Sequence, residues 1–432
     1  MSQVKLPKVL VIDVNAWRED APSNTLKEIF SCWNPENLAL IYTSSAFPST
    51  TVCSRFFQIG EMQVLQSVFR PWKRVGREVS CIESVDDRDN NVEQSLRNRS
   101  HQSHSRLMRL AREFVWKFGH WRTRALRDFI NDFNPDLIFV PIFPYAYMGR
   151  IQEYIIHHKP KPTVCYLADD NYSYDSCTTA IDYFLRSWNR KYVRRLARNS
   201  QEMFVIVDKE KEDTDSRFGT NSVILTKGID IKGRSYTPKN HNYPLNFVYT
   251  GSLVIGRDST LAELADVINQ INREQDRQLA ELYIYSQNKP SDCILSRLNV
   301  GDSHFCGSIP HQDVEKKITE ADVVVFAEAL SGKQANIAKL SFSTKLTDYL
   351  SLGKCILAIG KEDIAPIDYL RRNNAAVIAS SKEELYSRVK DILCQIDVID
   401  EYGKSAFDCA VINHDKEKMA QRFISTMCRA VK

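Results

Sequence analysis

The residues of this 432-residue chain best suited to chemistry are a small group of hydroxyls, amides and cations that could hold a phosphate. Ser343, Thr344 and Lys345 stand near the head of residues 341–360, SFSTKLTDYLSLGKCILAIG. Leu346, Tyr349 and Leu350 follow at helical spacing, so small polar residues open a predicted helix whose first amides have no intrahelical acceptor. Amides of that kind, two hydroxyls and an ammonium together favour an anion. Gly353 supplies the stop, Lys354 stands where a cation suits a helix C-terminus, and Cys355–Ile359 reads as a buried strand. The same residues describe an ordinary capped helix equally well.

Two further groups have chemical potential. An apolar strand over residues 163–168 ends in Asp169, Asp170, Asn171, Tyr172 and Ser173. Carboxylates at the carboxyl end of a parallel strand lie on the ligand edge of a sheet, which suits acceptor binding or general-base work. Asp169 and Asp170 are therefore catalytic candidates and Tyr172 an acceptor contact; turn formation by Asp and Asn is the competing reading. Near the N-terminus, residues 8–14 form a strand, and Ser23 and Asn24 precede the apolar face Leu26, Ile29, Phe30 of a short helix. Asn24 is an acceptor-contact candidate or simply a cap.

These groups need strands and helices to position them, and the chain alternates the two. Apolar runs at residues 38–43, 135–140 and 203–207 read as strands, with helices over 147–157 and 181–197. A polar segment with two prolines, 234–244, reads as a linker. The alternation then restarts: strands at 246–249, 282–285, 304–306 and 323–327, with helices over 259–272 and 312–320. Such alternation predicts an α/β protein of two Rossmann-like domains facing each other across a cleft. The boundaries are 1–235, 236–410 and a terminal helix, 411–432, returning to the first domain.

Composition narrows the class. A hydrophobic fraction of 43% and a charged fraction of 26% are those of a soluble globular protein. No run reaches the roughly 18 apolar residues of a membrane span, and the N-terminal apolar run is short for a signal sequence. Eleven cysteines show no paired or metal-ligand spacing, so neither a disulfide framework nor a bound metal is expected, in keeping with a cytoplasmic location. The net charge of +4 is unevenly spread. Arg97, Arg99, Arg106, Arg109, Arg112, Lys117, Arg122, Arg124 and Arg127 form a basic stretch with Leu107, Leu110, Phe114 and Phe118 at helical spacing. Such a helix suits an anionic membrane surface, or packs on the core with a solvated basic face. No nucleic-acid motif accompanies the charge, and nucleic acid is not an expected partner.

The motifs of the second half carry a resemblance. Thr226-Lys227-Gly228-Ile229-Asp230 resembles the PNGID segment, and Tyr249-Thr250-Gly251-Ser252 the FVGR strand end, of GT-B glycosyltransferases of the retaining GT4 type, which build capsular and other surface polysaccharides. Residues 304–310, HFCGSIP, resemble the strand whose loop, here after Gly307, lies beside the nucleotide base. The resemblance implies that Arg257, six residues after Gly251, holds the donor diphosphate, and that Ser252 stands where the family has an arginine. In the family's EGFGLPVLEAMACGVPVV stretch, Phe342, Asp348 and Gly353 align with the phenylalanine, the second glutamate and the later glycine. Asp348 is then expected at the nucleotide ribose. The first glutamate falls at Leu340; Glu328 is a candidate substitute, and Lys345 a substitute for the missing arginine.

The implied reaction transfers a sugar from a nucleotide diphosphate sugar to a glycan acceptor, lipid-linked, at the inner face of the membrane. It needs no cofactor and no metal. A catalytically silent GT-B scaffold subunit and a GT-B nucleotide-sugar epimerase are the alternatives, the former supported by Leu340 and Ser252.

Overall fold

The computed structural model describes residues 6–19, 25–81 and 106–432. Asn24 and Ser23, and Arg97 and Arg99 of the basic stretch, lie outside the described residues. The chain forms two compact units, one of Met1–Val205, Lys211–Leu225 and Ala420–Lys432, the other of Ile206–Glu210 and Thr226–Met419.

The first unit is built on an eight-stranded sheet. In chain order its strands are β1 (Val9–Asp13), β2 (Leu38–Tyr42), β3 (Arg55–Gln58), β4 (Arg77–Val79), β5 (Leu137–Pro141), β6 (Thr163–Leu167), β7 (Glu202–Val205) and β8 (Val223–Ile224). The spatial order is β4-β3-β2-β1-β5-β6-β7-β8, parallel throughout except for the edge pair β3 and β4. Strands β1, β2, β5 and β6 are buried at every residue, which is why they read as continuous apolar runs instead of alternating ones. Strand order reverses between β1 and β5, where Asp13 caps the end of β1 by accepting from the indole Nε1 of Trp17 at 3.1 Å. Strands β3 and β4 were not anticipated: both are short, and each mixes polar with apolar residues.

The basic stretch resolves into two helices with different anchors. In Arg106–Phe118 the buried residues are Trp116, stacked on Tyr147 at 4.7 Å between centroids, and Glu113. The apolar stripe Leu107, Phe114 and Phe118 instead faces solvent, at 67%, 40% and 58% exposure. Helix Arg124–Phe133 is anchored conventionally through Leu126, Phe129, Ile130 and Phe133. Its first turn is capped by the Thr123 hydroxyl, which accepts from the Leu126 amide at 3.3 Å. Thr123→Ala is expected to cost about 1 kcal/mol, the usual worth of such a cap, readable as a lowered urea midpoint at unchanged slope.

The second unit carries a six-stranded, all-parallel sheet: β9 (Leu245–Thr250), β10 (Ala280–Tyr285), β11 (Ser303–Gly307), β12 (Val323–Ala327), β13 (Cys355–Ile359) and β14 (Val377–Ala379). The order is β11-β10-β9-β12-β13-β14, so the reversal lies between β9 and β12. The polar segment 234–244 belongs to this unit. The Tyr236 hydroxyl donates to Asp400 at 2.6 Å, and its ring fills space that side chains at Gly353 or Gly403 would occupy. Lys354 does not serve the helix preceding it. It is buried, and its ammonium donates to Thr319 O at 2.7 Å and to Ala321 O, at the end of helix His311–Glu320.

The closing helix is two helices, Asp397–Asn413 and Lys416–Ala430. The break is held by His414, fully buried, with Nδ1 2.9 Å from the Thr226 hydroxyl and Nε2 2.8 Å from the Tyr369 hydroxyl. Burial pushes its pKa down to about 4, so the ring is neutral and serves as donor on one nitrogen and acceptor on the other. Ile229 closes the junction by donating to His414 O and accepting from the Lys416 amide. Within the first unit, Phe423 makes edge contacts with Phe30 and Trp33, and Met427 is buried in the same cluster.

Candidate functional site

Parallel sheets place loops and helix starts together at their carboxyl edge, most openly where strand order reverses. In the second unit that point is marked by the ends of β9 and β12, that is, by Thr250-Gly251 and Glu328. Three side chains converge there from distant parts of the chain.

Arg257 begins the helix Arg257–Glu274, entered through Ile255 and Gly256, both in the left-handed region at φ +65° and +77°. A β-branched residue held at such a φ stores of order 1–3 kcal/mol of strain, as functional loops often do. The guanidinium forms a two-pronged pair with Glu328, Nε to Oε2 at 2.9 Å and Nη2 to Oε1 at 2.6 Å. Glu328 is almost wholly buried, and its backbone is fixed on both sides: its amide donates to Ile359 O and its carbonyl accepts from the Thr260 hydroxyl. Burial works against the charge on Arg257, but the bonds to Glu328 and its attraction outweigh it, and the pKa lies above the ordinary value.

Lys345 comes from helix Thr344–Ser351. The residue is exposed as a whole, yet its ammonium donates to Thr250 O at 3.1 Å. It can do so because residue 251 is glycine: a Cβ there would lie 2.3 Å from Nζ. Burial of the ammonium, and then the nearby charge of Arg257, lower its pKa to about 8. The carbonyl end of β9 is braced by Tyr349, whose hydroxyl is 3.1 Å from the Thr250 hydroxyl, and by Tyr249, which donates to Ser252 O at 2.6 Å.

The remaining second-unit candidates take these places. Ser252 donates to Asn288 Oδ1 at 2.8 Å and so orders the loop leading to Gly256. Ser343 is the N-cap of the Lys345 helix but makes no side-chain capping bond, so its hydroxyl does not close the helix start that Thr344 opens. Asp348 pairs with Lys227 of the TKGID segment at 3.1 Å and remains 45% exposed. Gly307 ends β11 at φ +71°. Leu340 is buried, and Phe342 stacks on His414. Sequence reasoning did not anticipate Lys227 as a side-chain partner or Thr250 O as the seat of Lys345; both depend on contacts between residues about a hundred positions apart.

In the first unit, Asp169 is exposed at the end of β6. Asp170 is occupied in the turn, accepting from the amides of Tyr172 and Ser173 at 3.2 and 2.7 Å and from the Ser173 hydroxyl. Tyr172 is buried, with Arg190 3.8 Å above its ring and its hydroxyl accepting from Arg194 at 2.7 Å. Its hydroxyl therefore serves this arginine cluster and is not presented to an acceptor. Among the described residues, no group of three His, Cys, Asp or Glu is arranged to hold a metal ion.

No family model matches the chain, and no curated protein matches it in sequence. Solved structures do match. HepE of Anabaena, in complex with UDP, superposes with a TM-score of 0.62 at 9% identity, over 98% of this chain and 100% of that one. Sucrose-phosphate synthase of Thermosynechococcus elongatus gives 0.62 at 11%, over 96% of each chain. WaaG, a glycosyltransferase involved in lipopolysaccharide biosynthesis, gives 0.54 at 13%, over 98% of each. The chain has the GT-B fold. These neighbours are GT-B glycosyltransferases, and their parallel-sheet domains correspond to the eight- and six-stranded sheets described above. At such low identity the match shows architecture, and chemistry resides in this chain's own residues.

Proposed function

We propose that the protein is a glycosyltransferase that moves a sugar from a nucleotide diphosphate sugar to a glycan acceptor in surface polysaccharide synthesis. The observation that carries this reading is Lys345: a cation held over the carboxyl end of β9 at the reversal of strand order, beside a helix start whose N-cap hydroxyl makes no capping bond. The chemical demand of such a transfer is to stabilise the departing diphosphate, and fixed donors and cations do so without reorganising during the reaction. Lys345, the amides at Ser343 and Thr344, and Arg257 are assigned to the diphosphate. Asp348 is assigned to the ribose, Gly251, Ser252 and Gly307 to the walls of the donor site, and Glu328 to positioning Arg257.

Asp169 is the acceptor-side carboxylate of this scheme, Asp170 forms its turn, and Asn24 is assigned as an acceptor contact. Metal independence and retention of configuration belong to the same proposal, as do a lipid-linked acceptor and a peripheral place on the cytoplasmic face of the membrane. No helix among the described residues is long and apolar enough to cross a membrane. The exposed stripe Leu107, Phe114 and Phe118, among cations, supports attachment at its surface.

A thermal-shift screen with nucleoside diphosphates and their sugars tests the reading. A ligand at a hundred times its Kd stabilises the native state by about 2.7 kcal/mol, a shift of several degrees. Absence of any shift across the panel would overturn it in favour of a non-catalytic scaffold, a second reading supported by Glu328 already neutralising Arg257 and by Leu340 being buried. Where a nucleotide sugar binds, product analysis separates transfer from epimerisation, since an epimerase alters the donor without an acceptor.

A further inference from the structure

Trp188, on the helix Ala180–Asn199 of the first unit, lies in an open groove of about 490 Å³. Two aromatic rings, Phe114 and Phe184, meet it edge-on, each with centroids 5.8 Å away. Three cations surround the same indole: Lys117 Nζ at 5.6 Å, Arg150 Cζ at 5.4 Å and Lys191 Nζ at 5.9 Å from its centroid. No lining residue is acidic, and none of the three cations has an ion-pair partner among the described residues. Two carboxylates lie behind the groove without lining it. Glu113, near Arg150, is buried, and burial raises its pKa to about 7, leaving it about half ionised at neutral pH. Glu153, near Lys191, is paired with Arg195 at 2.8 Å. Lys117 and Lys191 are exposed and Phe184 is 51% exposed, so both the charge and the apolar surface face outward.

This composition is selective. A solvated basic face has no use for exposed aromatic rings, and an apolar protein partner has no use for three unpaired cations. A ligand with a phosphate at one end and hydrocarbon at the other satisfies both. We infer that the groove seats the phosphate head group of an anionic lipid, between Lys117 and Lys191 and over the charge of Arg150, with the lipid chain along Phe114, Phe118 and Phe184. Trp188 then sits at the boundary of head group and hydrocarbon, where an amphipathic ring is favoured. The inference rests on the membrane half of the function proposed above and is independent of the transfer chemistry. It gives that membrane contact a particular, saturable seat.

The test uses the full-length protein and vesicles of phosphatidylglycerol with brominated acyl chains, which quench tryptophan at the hydrocarbon boundary. Flotation of the wild type reports membrane binding, and the quenching lost on Trp188→Phe reports the groove. The expected result is flotation together with quenching that disappears in Trp188→Phe and is absent with brominated phosphatidylcholine. Lys117→Gln/Lys191→Gln should bind these vesicles about thirtyfold more weakly, whereas Lys289→Gln/Lys404→Gln, removing equal charge from the other unit, should bind as the wild type does. Flotation without Trp188 quenching would overturn the groove and leave the membrane reading standing, whereas absence of flotation would overturn both. Equal perturbation of Trp188 by soluble glycerol phosphate at matched phosphate concentration would overturn the lipid assignment. Equal weakening by the two lysine pairs would reduce it to net charge and overturn the seat.

Discussion

Replacing Lys345 by alanine is expected to lower turnover of the nucleotide sugar at least a hundredfold, about 2.7 kcal/mol of transition-state stabilisation, with the fold intact. The ammonium donates to Thr250 O and the residue is exposed, so little packing is lost with it. The pH dependence provides a second readout. Burial and Arg257 bring the Lys345 pKa down to about 8, so affinity for a nucleoside diphosphate should weaken as pH rises through 8 and the charge is lost, by up to about tenfold per unit. The sign for stability is opposite. The folded pKa lies below the ordinary lysine value, so the unfolded chain holds more protons between about 8 and 10.5, and this group makes the fold more stable as pH rises across that window. Weaker binding above pH 8 is therefore not unfolding through this residue. In Lys345→Arg the decline should move beyond pH 9.5. A kcat/KM profile flat from pH 7 to 9.5 in the wild type would remove Lys345 from the diphosphate.

The second large effect concerns stability. Arg257→Met is expected to destabilise the second unit by about 3–5 kcal/mol, because it leaves the buried Glu328 carboxylate without its cation. Glu328→Gln in the same chain should recover most of that loss, since a neutral amide in this place costs far less to bury. Activity should not return with stability if Arg257 also meets the diphosphate. Urea unfolding of the two single variants and the double gives the coupling energy directly. A loss below about 1 kcal/mol in Arg257→Met would show the pair to be weak, and full activity in the double variant would leave Arg257 only its role in the fold.

The sequence made the architecture plain because parallel strands buried on both faces cannot hide: VLVID, LIFVP and VVVFA are uninterrupted apolar runs between polar loops. REV, an edge strand with one buried residue, carried no such mark, and RFFQ buries Phe56 and Phe57 in the core but is too short, between Arg55 and Gln58, to read as an apolar run. Periodicity also located the helix Arg106–Phe118 without telling which side meets the protein. Its longest apolar stripe faces outward, and Trp116 does the anchoring. In the site, Arg257, Lys345 and Glu328 were each marked individually, but their relationship was not. A pairing across 71 residues, or the 121 between Lys227 and Asp348, leaves no local pattern to read. Asp170 and Tyr172 show the converse. Their position at a strand end looked like chemistry, and the arginines that occupy Tyr172 come from a later helix.

Gly251 and Lys345 have a consequence for how this protein can change. The ammonium occupies the volume of a missing methyl group, so no side chain can enter position 251 while the lysine keeps its seat. A mutational library at position 251 alone should return only glycine among active clones. Scored by stability instead of turnover, Gly251→Ala should cost less on Lys345→Ala than on the wild type, the remaining close neighbour of the new methyl being the Tyr249 hydroxyl at 3.0 Å. The two positions are thus coupled: a side chain at 251 and the bond from Lys345 to Thr250 O exclude each other, and the flexible lysine must leave its seat if the glycine is replaced.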